Sequence, residues 1–96
     1  MHAVMVEVQI RDMEAAQRHL HETAVPAVSQ APGFVAGYWL EPVEDRGRAI
    51  VVFDSEDAAK MAAGKVPEMV PKGNVTVERI SVLEVVEHAE RHEMAL

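Results

Sequence analysis

Every second residue from position 4 to position 10 is apolar and β-branched: Val4, Val6, Val8 and Ile10, with Glu7 and Gln9 between them. A period of two makes residues 3–10 a strand with one wholly apolar side, and that side must be covered. The next segment supplies a cover. Asp12 stands where a helix N-cap is wanted, with Glu14 in the first turn, favourable for the helix dipole. Met13, Ala16, Leu20, Ala24, Ala27 and Val28 then recur at three- and four-residue steps, an apolar stripe along a helix. Pro26 removes a helical hydrogen bond and crowds the preceding turn, which predicts a kink, or a break near Ala24 with a short extra turn after it. Pro32-Gly33 ends the helical region.

The pattern then repeats. Residues 34–41 read as a second strand and residues 49–53 as a third, joined through a polar connection in which Asp45-Arg46-Gly47 supplies the turn. Asp54 or Ser55 caps a second helix from Glu56 to about Lys65, with Ala58, Met61, Ala62 and Lys65 on one side and Pro67 and Pro71 stopping its propagation. Residues 75–86 form a long, valine-rich last strand, and residues 87–96 a charged tail, a short exposed helix or a frayed end. The order β-α-β-β-α-β predicts one ferredoxin-like α+β domain over residues 1–96. Its four-stranded antiparallel sheet takes the spatial order 4-1-3-2, with both helices on one face.

Composition narrows the function classes. The chain has 96 residues and no cysteine, which excludes disulfides, thiolate metal sites and a cysteine nucleophile. Sixteen acidic residues against nine basic ones give a net charge of −7, unfavourable for nucleic acid and for anionic membranes. No apolar run approaches a membrane span and no basic, apolar leader opens the chain, so the expectation is a cytoplasmic protein. Glycine spacing matches no phosphate-binding loop, and no serine stands in a nucleophile elbow.

Two helices can shield only one side of the sheet, yet both sides carry apolar residues. In the third strand Ile50 and Val52 alternate with Ala49, Val51 and Phe53; in the last, Ile80 and Val82 with Val77, Leu83 and Val85; in the second, Phe34, Tyr38 and Leu40 with Val35 and Trp39. Leaving such side chains wet forfeits about 1.5–3 kcal/mol each. A second copy packed sheet against sheet about a two-fold axis removes that cost, so a homodimer is expected. The last strand, reaching ~40 Å at 3.3 Å per residue, could cross onto the partner.

The order of elements, the run Ser29-Gln30-Ala31-Pro32-Gly33-Phe34 and the step Phe53-Asp54-Ser55-Glu56-Asp57-Ala58 resemble the dimeric α/β-barrel superfamily, and within it the antibiotic biosynthesis monooxygenase-like domains. The resemblance spans residues 4–86. It implies a cofactor-independent monooxygenase acting on a phenolic or quinone-type small molecule. Haem-degrading members carry an asparagine on the first strand and a histidine on iron; here the only asparagine is Asn74, in a turn, so no cofactor is expected.

Several residues could carry such chemistry. Trp39 and Tyr38 are adjacent and must face opposite sides of the sheet. Either one could stack on an aromatic ligand, with Phe53 lining the wall, or simply fill core and interface. His21, on the first helix and set nearer the buried side than His19, is the expected proton acceptor; both could equally belong to a solvated face. Glu7 and Gln9 would enter the dimer interior, where Arg79 could pair with a carboxylate. His88 and His92 are four apart, a spacing too weak alone to establish a metal site, and His2 reads as an exposed terminal residue. Two further readings stay open: a non-catalytic small-ligand-binding or assembly module, and a metal- or haem-dependent enzyme.

Overall fold

The computed structural model describes residues 1–91. In order these form β1 (His2–Ile10), α1 (Met13–His19), a π-helical segment (Leu20–Ala24), α2 (Val25–Ser29), β2 (Phe34–Trp39), β3 (Arg46–Phe53), α3 (Glu56–Met69) and β4 (Val75–Glu84). The strands make one antiparallel sheet in the order β2-β3-β1-β4, the expected 4-1-3-2 read from the other edge. Val4, Val51 and Phe53 of the sheet bury against Ala59 of α3, and Val28, Ala31, Phe34, Trp39, Ile80 and Val82 pack around them on the same face. The architecture is ferredoxin-like, as the order of elements predicts.

Proline does not interrupt the first helical run. Leu20–Ala24 widens into a π turn in which the Val25 N–H reaches the Leu20 carbonyl, and Pro26 then falls in the first turn of α2, where a missing N–H is tolerated. Pro67 likewise fails to stop the second helix, which continues to Met69 and ends where Val70 turns extended. Only two residues follow Pro67 inside that helix, so the disrupted turn is the last one. The inward side of α3 is Ala58, Ala59, Ala62, Ala63 and Val66: Ala58 and Ala62 are there as expected, whereas Met61 and Lys65 are exposed. The stripe is centred further round than expected, on Ala59 and Ala63.

The β2–β3 hairpin is tighter than the sequence suggests. Val43 pairs with Arg46, and Glu44 and Asp45 occupy the turn with φ of 53° and 65°. That is the left-handed pair of a two-residue hairpin turn, whose twist suits antiparallel strands. Gly47 therefore lies inside β3 rather than in the turn. At the Pro-Gly-Phe step Gly33 has a φ of 80°, and a Cβ there would lie 2.5 Å from Asp54 Oδ1. Glycine is what lets the Gly33 carbonyl accept the Asp54 N–H at 2.8 Å, which ties the end of the first helical run to the start of α3.

Two irregularities reassign faces. A bulge between Phe34 and Ala36 puts Phe34 with Trp39 on the helix side, where its ring meets Phe53 edge-on at 6.3 Å. A second, opposite Glu7 and Val8, puts Val77 with Ile80 and Val82 instead of with Leu83. The last strand ends at Glu84, two residues short of expectation, although the Val85 N–H still bonds the Met1 carbonyl.

Candidate functional site

Beneath the helices the sheet carries bulk at one end and little at the other. Phe53 and Val51 fill the end under α3, whereas Ala49 and Gly47 continue β3 toward the hairpin on the same face. The first helical run does not close the gap: none of its residues is buried, although Met13, Ala16, Leu20, Ala24 and Val28 point inward. The result is a cavity of about 460 Å³, floored by Val6, Val8, Gly47 and Ala49, roofed by Ala16, Leu20 and Ala24, and closed at one end by Val66, Met69 and Val70. That volume is within the range of small-molecule sites, and the lining is overwhelmingly apolar.

Trp39 walls the cavity. The edge of its indole reaches the neighbouring position on the same face of the strand because that position is Gly37: a Cβ there would fall 2.7 Å from Cη2 and Cζ3 of the ring. Tyr38, as alternation requires, faces the other way and is 60% exposed on the open side of the sheet. Phe53 does not line the cavity; at 1% exposure it is the buried centre of the core.

The two helix histidines exchange roles. His21 follows Leu20 by one residue, about 100° round the axis, and is exposed outside the cavity. His19, three residues after the inward-facing Ala16, lines the cavity and hydrogen-bonds through Nε2 to the Met69 carbonyl at 2.8 Å. That carbonyl belongs to the last turn of α3, where intrahelical donors run out, and His19 thereby joins the two helices at the cavity edge. No helical-wheel argument could find this partner, because it lies fifty residues away and depends on α3 passing through Pro67.

On the open face Glu7 meets Arg48, its cross-strand neighbour, at 3.3 Å, and not Arg79. Arg46 reaches Glu78 at 3.6 Å. These pairs border an apolar field of Ala3, Met5, Ala36, Ile50, Val52 and Leu83, in which Met5 and Leu83 are exposed. His2 is not a free terminal residue: it sits in β1 with Nε2 3.4 Å from Glu56 and with Nδ1 buried and unpartnered. Among the described residues no cluster of metal-ligating side chains occurs, and His92 lies outside them, so the His88/His92 spacing is not described. Among the described residues no helix is long and apolar enough to cross a membrane.

Solved structures share this arrangement over almost their whole length. A variant of SnoaB from Streptomyces nogalater, a cofactor-independent oxygenase, matches with a TM-score of 0.67 at 15% identity, over 94% of this chain and 98% of that one. MhuD, a haem-degrader from Mycobacterium tuberculosis with two haems bound in its active site, matches with a TM-score of 0.62 at 19% identity, over 94% and 100%. The chain has the fold of the antibiotic biosynthesis monooxygenase-like domains. A protein of unknown function from Nitrosomonas europaea shares that fold too, with a TM-score of 0.59 at 15% identity over 96% and 95%. No family model and no curated protein matches the sequence.

Some proteins of this monooxygenase-like fold hold haem, and the residues here do not suit it. The one cavity histidine has its outer nitrogen, Nε2, on the Met69 carbonyl. Its Nδ1 lies beside its own Cβ, where a flat macrocycle would collide with the helix that carries the ring. The two arginines of β3 contact carboxylates through Nε alone, Arg48 on Glu7 at 3.3 Å and Arg46 near Glu78 at 3.6 Å, so it is the histidine that speaks against haem.

Proposed function

We propose that the protein binds a flat, apolar small molecule of phenolic or quinone type and oxygenates it without a cofactor, as a homodimer in the cytoplasm. The observation that carries this reading is the apolar cavity of about 460 Å³ walled by Trp39, in a fold that also serves a cofactor-independent oxygenase. The Trp39 indole, given its room by Gly37, offers the cavity an aromatic surface on which a ring can stack. The apolar lining excludes water from a reactive carbanion and fixes the substrate's orientation.

The chemistry balances without any added reductant. A methylene activated by neighbouring phenol and carbonyl groups loses a proton, and His19, the imidazole that lines the cavity, replaces His21 as the candidate acceptor. The carbanion gives one electron to molecular oxygen, and the resulting radical pair combines into a peroxide. The peroxide takes up a proton and expels water, leaving a carbonyl. One methylene and one oxygen molecule become one carbonyl and one water, and all the electrons come from the substrate. Oxygen consumption with anthrone as substrate tests this: uptake in step with carbonyl product is expected, and none from the wild-type protein counts against catalysis.

One observation favours a second reading, ligand binding without turnover. His19 is the only imidazole at the cavity among the described residues, and one of its nitrogens is already engaged. Quenching of Trp39 emission by anthrone with no loss of oxygen would select it.

Dimerisation through the open sheet face is supported by its apolar field and bordering ion pairs, which suit a self-complementary two-fold contact.

A further inference from the structure

A carbonyl oxygen can only accept a hydrogen bond, so the nitrogen facing Met69 at 2.8 Å must carry the proton. This fixes the neutral His19 ring as the Nε2–H tautomer and leaves the lone pair on Nδ1. Among the described residues Nδ1 makes no hydrogen bond, and unlike His2 Nδ1 it is not sealed in the core. We infer that the cavity presents His19 Nδ1 as a hydrogen-bond acceptor, and therefore selects flat molecules that carry a hydroxyl over their ether counterparts.

The inference rests on the ligand-binding reading and sharpens it to a class of ligand. The lining is mostly apolar, and beside His19 its side-chain acceptors are Gln17 and Glu41. The hydroxyl of a bound phenol loses its water partners in such a lining unless it meets an acceptor, and an unsatisfied buried donor is strongly disfavoured, so removing the imidazole alone distinguishes it from the other two. An aryl ether has no proton to give and gains nothing from Nδ1.

Two measurements test this separately. Long-range proton–nitrogen correlation spectra of the ¹⁵N-labelled protein, at about pH 8.5 where an ordinary imidazole is neutral, should show His19 protonated at Nε2. Protonation at Nδ1 overturns the proposal whatever binds. Titrating Trp39 fluorescence at about pH 8 with 2-naphthol and with 2-methoxynaphthalene should give a preference of about tenfold for the naphthol, the worth of one satisfied hydrogen bond. Equal affinities overturn the selectivity but keep the cavity as a binding site. Binding of neither compound overturns the cavity reading itself, and this inference with it. His19→Phe should abolish the preference while still binding the ether, which also reports that the variant is folded. His19→Lys, whose ammonium can donate to Met69 but accepts no hydrogen bond, controls for loss of the link between the helices; if it keeps the full preference, the acceptor is not the imidazole.

Discussion

Gly37 holds its place by what it lacks. Substituting alanine puts a methyl 2.7 Å from two atoms of the Trp39 ring, so the indole must move. Gly37→Ala is expected to cost about 1–3 kcal/mol, as overpacking does, and to shift the Trp39 emission maximum; urea unfolding and the fluorescence spectrum check both. Phe53, at 1% exposure, should cost about 3–5 kcal/mol when cut to alanine. At this scale the sequence reveals sidedness well and depth poorly. Alternation puts Tyr38 and Trp39 on opposite faces. It cannot show that Phe53 is sealed from the cavity while Trp39 borders it, because that depends on α3 covering one end of the sheet and not the other. The histidines illustrate the same limit: His19 is chosen over His21 by a carbonyl on another helix.

Regular elements and their order are readable from periodicity, and what escapes is where each one stops. A bulge adds one residue and reverses the facing of everything beyond it, so Phe34 and Val77 lie opposite to where strict alternation puts them. Helix ends escape for a different reason, since proline forbids one hydrogen bond and not a whole turn. Two element-level changes should alter stability in opposite directions. Glu44 and Asp45 both hold positive φ, a conformation that asparagine and glycine adopt at lower cost. Replacing them with Asn-Gly (Glu44→Asn with Asp45→Gly) should raise stability by about 1 kcal/mol, seen as a higher urea midpoint with an unchanged slope. The N-cap Ser55, whose oxygen accepts the Ala58 N–H at 3.1 Å, works in the opposite direction. Ser55→Ala should lower stability by about 1 kcal/mol in the same experiment.

For the molecule as a whole, the open sheet face carries the main expectation. Leu83 is 51% exposed in an apolar field that one chain cannot cover. Sedimentation equilibrium should find a dimer for the wild type and a folded monomer for Leu83→Asp. A wild-type protein that stays single at working concentrations would remove the two-fold assembly from the proposal and leave the cavity untouched, because the two lie on opposite sides of the sheet. That the sheet is apolar on both faces is plain from the alternation in β3; the size of the cavity is not, since it is set by how far α1 stands off from Gly47 and Ala49. The sheet order has one more consequence. β1 is flanked by β3 on one side and on the other by β4, which follows both β1 and β3 in the order of the chain. One edge of β1 therefore stays unbonded until β4 has been made. A stalled or shortened polypeptide lacking β4 would offer that edge to chaperones or to aggregation.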